Sequence, residues 1–435
     1  MSAYWHYLGE ALVSLRLVLR QTVCDAFGTT HPVGRELDLN LLDYCQATFS
    51  ADEIENVFEL ARPYDAEFLE QELVQFLDHK NTLSELYVAE VHNYWLREGA
   101  QLLSRYPKIG FRLAILKHCI RFEYKRTLFC LWLAIYESEH SGRSLDAFQG
   151  LFLTALSHDL GLLEVDPRFT RMDHDPRASR DDIDGFYRHV EFGANFLRRQ
   201  ADVSNQILRS IVQHHEKMDG TGYPNGCSGN VLAEYGQHIH LYDTIYSIYT
   251  KQFEPLNKTL ADIVPVIQIN SMTHFGQVAI RLLEVLQKAS RSTTAFFAVG
   301  DFDSVCAQAE AMANYVSRSI EIIQCFNTTA GYRHEDRALF VLQNSFIHIA
   351  LAYYRLRVTY KQVELGDLMN GHSDAVELNR ALEDNFLSLR EIIFHINRFL
   401  YRLRLYQANT PPEGIRTAVD DAVDALQNLA IKFLP

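Results

Sequence analysis

Apolar residues recur at three- and four-residue spacing through every part of this chain, the period of amphipathic helices, and the expected fold is all-α. In residues 1–105, Leu8, Leu12, Leu15 and Leu19, then Leu69, Leu73, Phe76 and Leu77, mark helical stripes. Pro32, Gly34, Pro63 and the Asp78–Asn81 patch are the expected joints. Nothing there suggests chemistry, so this part is read as a helical regulatory or packing domain. After residue 291, three long amphipathic runs cover about 301–327, 335–364 and 373–407, and a fourth runs from Pro412 to Leu434. The joints Thr328–Gly331, Asn370–His372 and Asn409–Pro411 make 291–435 an expected up-and-down helical bundle. Its aromatic positions Phe346, Tyr353, Tyr354, Phe394, Phe399 and Tyr401 read as core or as the seam of a homodimer.

Between residues 106 and 290 the helical pattern changes character, because each helix brings an ionisable group onto an apolar face. Phe152, Leu156 and Asp159 stack at helical spacing, as do Phe186, His189, Gly193 and Phe196. Ile207 and Ile211 lead to the pair His214–His215, and Ile239, Asp243 and Tyr246 share a further stripe. Buried carboxylates and imidazoles are costly unless paired or metal-bound. His158, Asp159, His189, His214, His215 and Asp243 are therefore expected to share divalent metal. Imidazole and carboxylate without thiolate suit Fe, Mn, Zn or Ni. The inventory is large enough for two ions, with Asp159 as the bridge, His158 and Asp243 completing one, and His189, His214 and His215 the other.

The most specific stretch is His214-His215-Glu216-Lys217-Met218-Asp219-Gly220-Thr221-Gly222-Tyr223-Pro224, in which a histidine pair runs into a Gly- and Pro-rich loop. It resembles the signature of the HD-GYP family of metal-dependent phosphohydrolases at every fixed position. The resemblance extends over 106–290, with His158-Asp159 as the defining doublet and Asp243 as the distant aspartate. It implies one more ligand on the preceding helix, for which Glu123 aligns best and His118 is the fallback. It also implies hydrolysis of cyclic di-GMP to pGpG, in some relatives onward to GMP, by water activated between two ions, Fe or Mn being the expected metals. Asp159 and His158 would serve catalysis, and Gly220, Gly222, Tyr223 and Pro224 would shape contacts to substrate or to signalling partners.

Three departures from the family pattern bear on activity. The lysine that usually follows the doublet is replaced by Leu162, and the basic residues downstream of the last aspartate are replaced by Gln252 and Pro255. Each lost charge-assisted contact is worth about 1.5–3 kcal/mol. Lys217 and Lys251 are the cations left to contact phosphate. A catalytically impaired signalling or scaffold module, recruiting partners through the loop or the bundle, is the alternative expectation.

Composition narrows this picture further. With 435 residues and a net charge of −14, the chain lacks the basic surface that a nucleic-acid polymer or anionic membrane would require. Its seven cysteines are scattered and odd in number, which fits a reducing cytoplasm. The first residues carry Arg16 and Arg20 and read as neither signal peptide nor membrane span.

Overall fold

A computed structural model describes residues 3–50, 53–78, 82–170, 180–292, 302–331, 335–370, 375–409 and 411–429. The expected joints at Asp78–Asn81, Asn370–His372 and Asn409–Pro411 lie partly outside these residues. The fold is all-α, with 77% helix and 3% strand. No helix among the described residues is long and apolar enough to cross a membrane.

The chain forms two compact units, one of residues 1–216 and 222–248, the other of 217–221 and 249–435. This division cuts the chain differently from the three segments read from sequence. Residues 1–105 share a unit with the helices after them, while residues 249–290 share one with the last four helices.

In the first unit, the helix Arg121–Ser141 runs through the core with Phe129, Leu131, Trp132, Leu133 and Ile135 all buried. Its polar edges are tied to the N-terminal part. Trp132 Nε1 donates to Leu73 O at 3.0 Å, and Tyr136 Oη donates to Leu83 O at 2.8 Å. On the helix before it, Arg112 is fully buried between Glu55 at 2.5 Å and Glu164 at 2.8 Å. Its guanidinium also lies over the rings of Phe196 and Tyr4, 3.8 and 4.7 Å from their centroids.

The expected helical stripe through Leu19 is corrected by the structure. The first helix ends at Leu15, Arg16 takes a left-handed φ of 45°, and Leu17–Leu19 is a strand paired antiparallel with Phe58–Leu60. Leu17 and Leu19 are buried while Val18 between them is half-buried, the alternation a strand requires. A second small pair joins Val23–Cys24 to Thr30–His31.

In the second unit, the four runs read from sequence are the helices Phe302–Ala330, Arg337–Asn370, Ala375–Ala408 and Glu413–Leu429. They share one apolar core that includes Val316, Ile323, Leu339, Ile349, Ile392 and Leu403. Phe399 is in that core and Phe346 and Tyr353 pack against it, whereas Tyr354 and Phe394 are exposed.

Candidate metal centre

Five elements of the first unit deliver the ionisable residues. The helix Leu145–Ser157 begins at Ser144, whose hydroxyl accepts from Ala147 N, and delivers His158 and Asp159 at its other end. The helix His189–Arg198 starts at His189 itself. Ser204 caps Asn205–Gln213 through Ile207 N, and His214 and His215 follow that helix directly. Asp243 is on Glu234–Ile248, and Glu123 is in the first turn of Arg121–Ser141.

A glycine contact fixes two of these elements against each other. A Cβ on Gly161 would sit 2.0 Å from His189 O and 2.5 Å from Gly193 N. Only glycine lets the turn after Asp159 approach the backbone of the next helix so closely.

The ligand atoms of Asp159, His189, His214 and His215 lie within 4.8 Å of one another. His158, His189 and His214 use Nδ1 in the same way, bonding to Ala155 O at 2.7 Å, Phe186 O at 2.8 Å and Ile211 O at 2.7 Å. With Nδ1–H donated to a carbonyl, each ring leaves Nε2 as a lone pair, the arrangement found on metal-ligating histidines. Nε2 of His214 is buried without a hydrogen-bond partner, and Nε2 of His158 faces the Asp159 carboxylate. His215 Nε2 approaches His189 Nε2 to 3.2 Å, a contact that only a proton or a cation between them makes favourable.

Electrostatics separate the rings: burial lowers the His158 imidazole, but the adjacent Asp159 outweighs burial and raises its pKa. Burial, reinforced by the neighbouring imidazoles, pushes His214 and His215 well below the ordinary histidine range, so both are neutral. Burial alone would raise the Asp159 carboxyl. The charge of His158 above all, with Arg126 and His189, outweighs it and holds the group well below the usual carboxylate range. Neutral imidazoles at His214 and His215 beside an ionised Asp159 carboxylate fit a divalent cation.

The remaining expected ligands are arranged differently. His158 Nε2 is 3.2 Å from Asp159 Oδ2. Asp243 Oδ2 is 3.8 Å from His215 Nδ1, but Asp243 Oδ1 is 2.8 Å from Arg126 Nη1. Glu123 is likewise bound by Arg126, with Nη2 to Oε2 at 2.9 Å. Arg126 is a residue that the sequence reading passed over. Its signal was phase, since it shares a helix face with Phe122, Phe129, Cys130 and Leu133 and so points inward. His118 is half-buried and lines a separate cleft with Lys117, Glu72 and Tyr124.

The loop after the histidines is ordered locally. Gly220 has a φ of +73°, and the Tyr223–Pro224 peptide is cis. Glu216 is buried and its Oε1 accepts from Asn225 N at 2.7 Å. Tyr223 stacks on Tyr187 at 3.5 Å and on His215 at 4.5 Å between centroids, so its ring is used in packing within the unit. Leu162, where the family usually has lysine, is buried in the apolar core.

Lys217 and Lys251 belong to the second unit. Lys251 is exposed. Lys217 lines a small cavity with His274, His348, His395, Arg398 and Arg402. Burial first, then the charge of Arg398, brings its ammonium down to about 7. His274, His348 and His395 also gather their ring nitrogens within 4.8 Å, but these surrounding cations oppose a metal ion there.

Residues 140–276 match the family model described as HD domain. This segment is an HD domain. A stretch of 100 residues is 35% identical to a cyclic di-GMP phosphodiesterase of Pseudomonas aeruginosa, covering 22% of this chain and 23% of that protein. Another of 66 residues is 33% identical to a 3'3'-cGAMP-specific phosphodiesterase of Vibrio cholerae, covering 15% of this chain and 13% of that one. The chain is thus similar over part of its length to cyclic-dinucleotide phosphodiesterases, and the matches span less than a quarter of either relative. Among solved structures, an HDGYP protein from Bdellovibrio bacteriovorus aligns over 63% of this chain and 97% of its own, at 14% identity and a TM-score of 0.30. A cyclic GMP-AMP specific phosphodiesterase of Vibrio cholerae aligns over 72% and 93%, at 13% identity and a TM-score of 0.29.

Proposed function

We propose that the HD domain is a metal-dependent phosphodiesterase acting on a cyclic dinucleotide, with cyclic di-GMP as the first substrate to test. The observation that carries this reading is the convergence of Asp159, His189, His214 and His215, with the buried Nε2 of His214 lacking a hydrogen-bond partner. A divalent cation bound there, Fe or Mn by expectation, lowers the pKa of a water molecule and neutralises phosphoryl oxygens. Asp159 and the three histidines would hold it.

The protein's own contribution is mainly positional, as phosphoryl transfer requires. Carbonyls of Phe186 and Ile211 keep His189 and His214 turned inward, and Gly161 keeps the Asp159 turn against the His189 helix. The stack of Tyr223 on His215 and Tyr187 closes one side of the cluster with aromatic surface.

A second reading is a ligand- or partner-binding module with retained metal and little turnover. It is favoured by the apolar Leu162 and by Gln252 and Pro255, which stand where three phosphate-binding cations are usual in the family that the motif resembles. The deciding experiment loads the protein with Mn(II) or Fe(II), adds cyclic di-GMP, and follows linear product by chromatography beside an Asp159→Ala control. Turnover that disappears in the control supports the enzyme. Metal binding without product supports the module.

A further inference from the structure

The helix Arg121–Ser141 brings an arginine into the centre, where three carboxylates meet it. Arg126 Nη2 is 2.9 Å from Glu123 Oε2, and Nη1 is 2.8 Å from Asp243 Oδ1 and 3.7 Å from Asp159 Oδ2. The residue is 4% exposed, and its guanidinium lies 5.3 Å from the centroid of Phe122. We infer that the Arg126 guanidinium replaces the second cation, so that the centre takes one divalent ion, on Asp159, His189, His214 and His215. The inference rests on the metal-dependent reading above and changes the number of ions expected from sequence.

Space is the first reason. An ion shared by Asp243 Oδ1 and Asp159 Oδ2 would sit about 2.0–2.2 Å from each oxygen. Nη1 already stands against Asp243 Oδ1 and within 3.7 Å of Asp159 Oδ2, so such an ion would overlap the guanidinium. Arginine cannot deprotonate to make room.

Charge is the second reason. Glu123, Asp159 and Asp243 bring three negative charges, which one guanidinium and one divalent ion balance. A second divalent ion would leave two uncompensated positive charges among apolar walls, a heavy penalty at low dielectric. The four-ligand group is a complete set for a single ion without Asp243 or Glu123.

The test counts ions rather than turnover. Wild type and Asp159→Ala are loaded with Mn(II) without oxygen, desalted and measured by elemental analysis, so that ions bound elsewhere cancel in the difference. Loss of one ion per chain is expected, and wild type should give the electron paramagnetic resonance signal of an isolated Mn(II). Loss of two ions, with an exchange-coupled signal, overturns this inference and leaves the hydrolase reading intact. Loss of none overturns the metal reading as well. Arg126→His, if it folds, should gain a second ion and the coupled signal; a folded variant that still binds one ion overturns the role given to Arg126.

Discussion

Replacing Arg112 by methionine tests whether its buried ion pairs tie the N-terminal part of the chain to the helices that frame the metal centre. The substitution keeps most of the side chain's volume but removes the partner of Glu55, a carboxylate only 5% exposed. Breaking a buried pair by deleting one member costs about 3–5 kcal/mol, because the other charge is left in an apolar setting. Two features place the loss near the lower end. The Tyr4 hydroxyl still donates to Glu55 at 3.0 Å, and Glu164, whose side chain is 20% exposed, can turn to water. The lost guanidinium contacts with Phe196 and Tyr4 add about 0.5–2 kcal/mol between them. Urea unfolding followed by circular dichroism measures the sum, and with a slope of about 1–3 kcal/mol/M the midpoint should fall by at least about 1 M. A double variant, Arg112→Met with Glu55→Leu, removes both charges and should recover most of the stability. The reasoning fails if the single variant lies within 1 kcal/mol of wild type, or if the double variant is no better than the single one.

Other consequences are as direct. Gly161→Ala pushes a methyl against His189 O and should cost about 1–3 kcal/mol or more, with weaker metal retention on desalting; unchanged melting and metal content would contradict the contact. Mn(II) at a hundred times its Kd should stabilise the protein by about 2.7 kcal/mol, lost on chelation and absent in Asp159→Ala, as thermal melting will report. Burial would lower the His238 imidazole, but Glu137 at 3.0 Å outweighs it and raises the pKa above its ordinary 6.5, so this stabilisation is complete below about pH 6.5 and fades as pH climbs through the raised value. Glu137 is depressed from 4.5, again against the effect of burial and chiefly by His238, so its contribution is present above 4.5 and fades as pH falls through the depressed value. His238→Gln should flatten the alkaline limb of the melting temperature against pH, and an unchanged limb would count against the pair.

The grouping of Asp159, His189, His214 and His215 was legible because its signals are local. A histidine pair at a helix end, a His–Asp doublet ending an apolar helix and a histidine in phase with Phe186 and Phe196 can each be read within one or two turns. The four bundle helices were legible for the same reason, their stripes being long and their breaks rich in Gly, Asn and Pro. What escaped depends on partners distant in sequence. Leu17–Leu19 looks like the tail of a helix until Phe58–Leu60 supplies the other edge. Arg126 has the phase of an inward residue, but what it meets there is not visible until Asp243 and Asp159 arrive from two other helices. The grouping of His274, His348 and His395 likewise needs three helical elements to be brought together.

Three imidazoles are each anchored to the carbonyl three residues earlier in their own segment. Their aim is therefore inherited from helix geometry and does not wait for a guest to impose it. On the proposed metal reading, capture and release of an ion would be matters of access and exchange rate with no folding step attached, and emptying and recharging should leave the scaffold as it is.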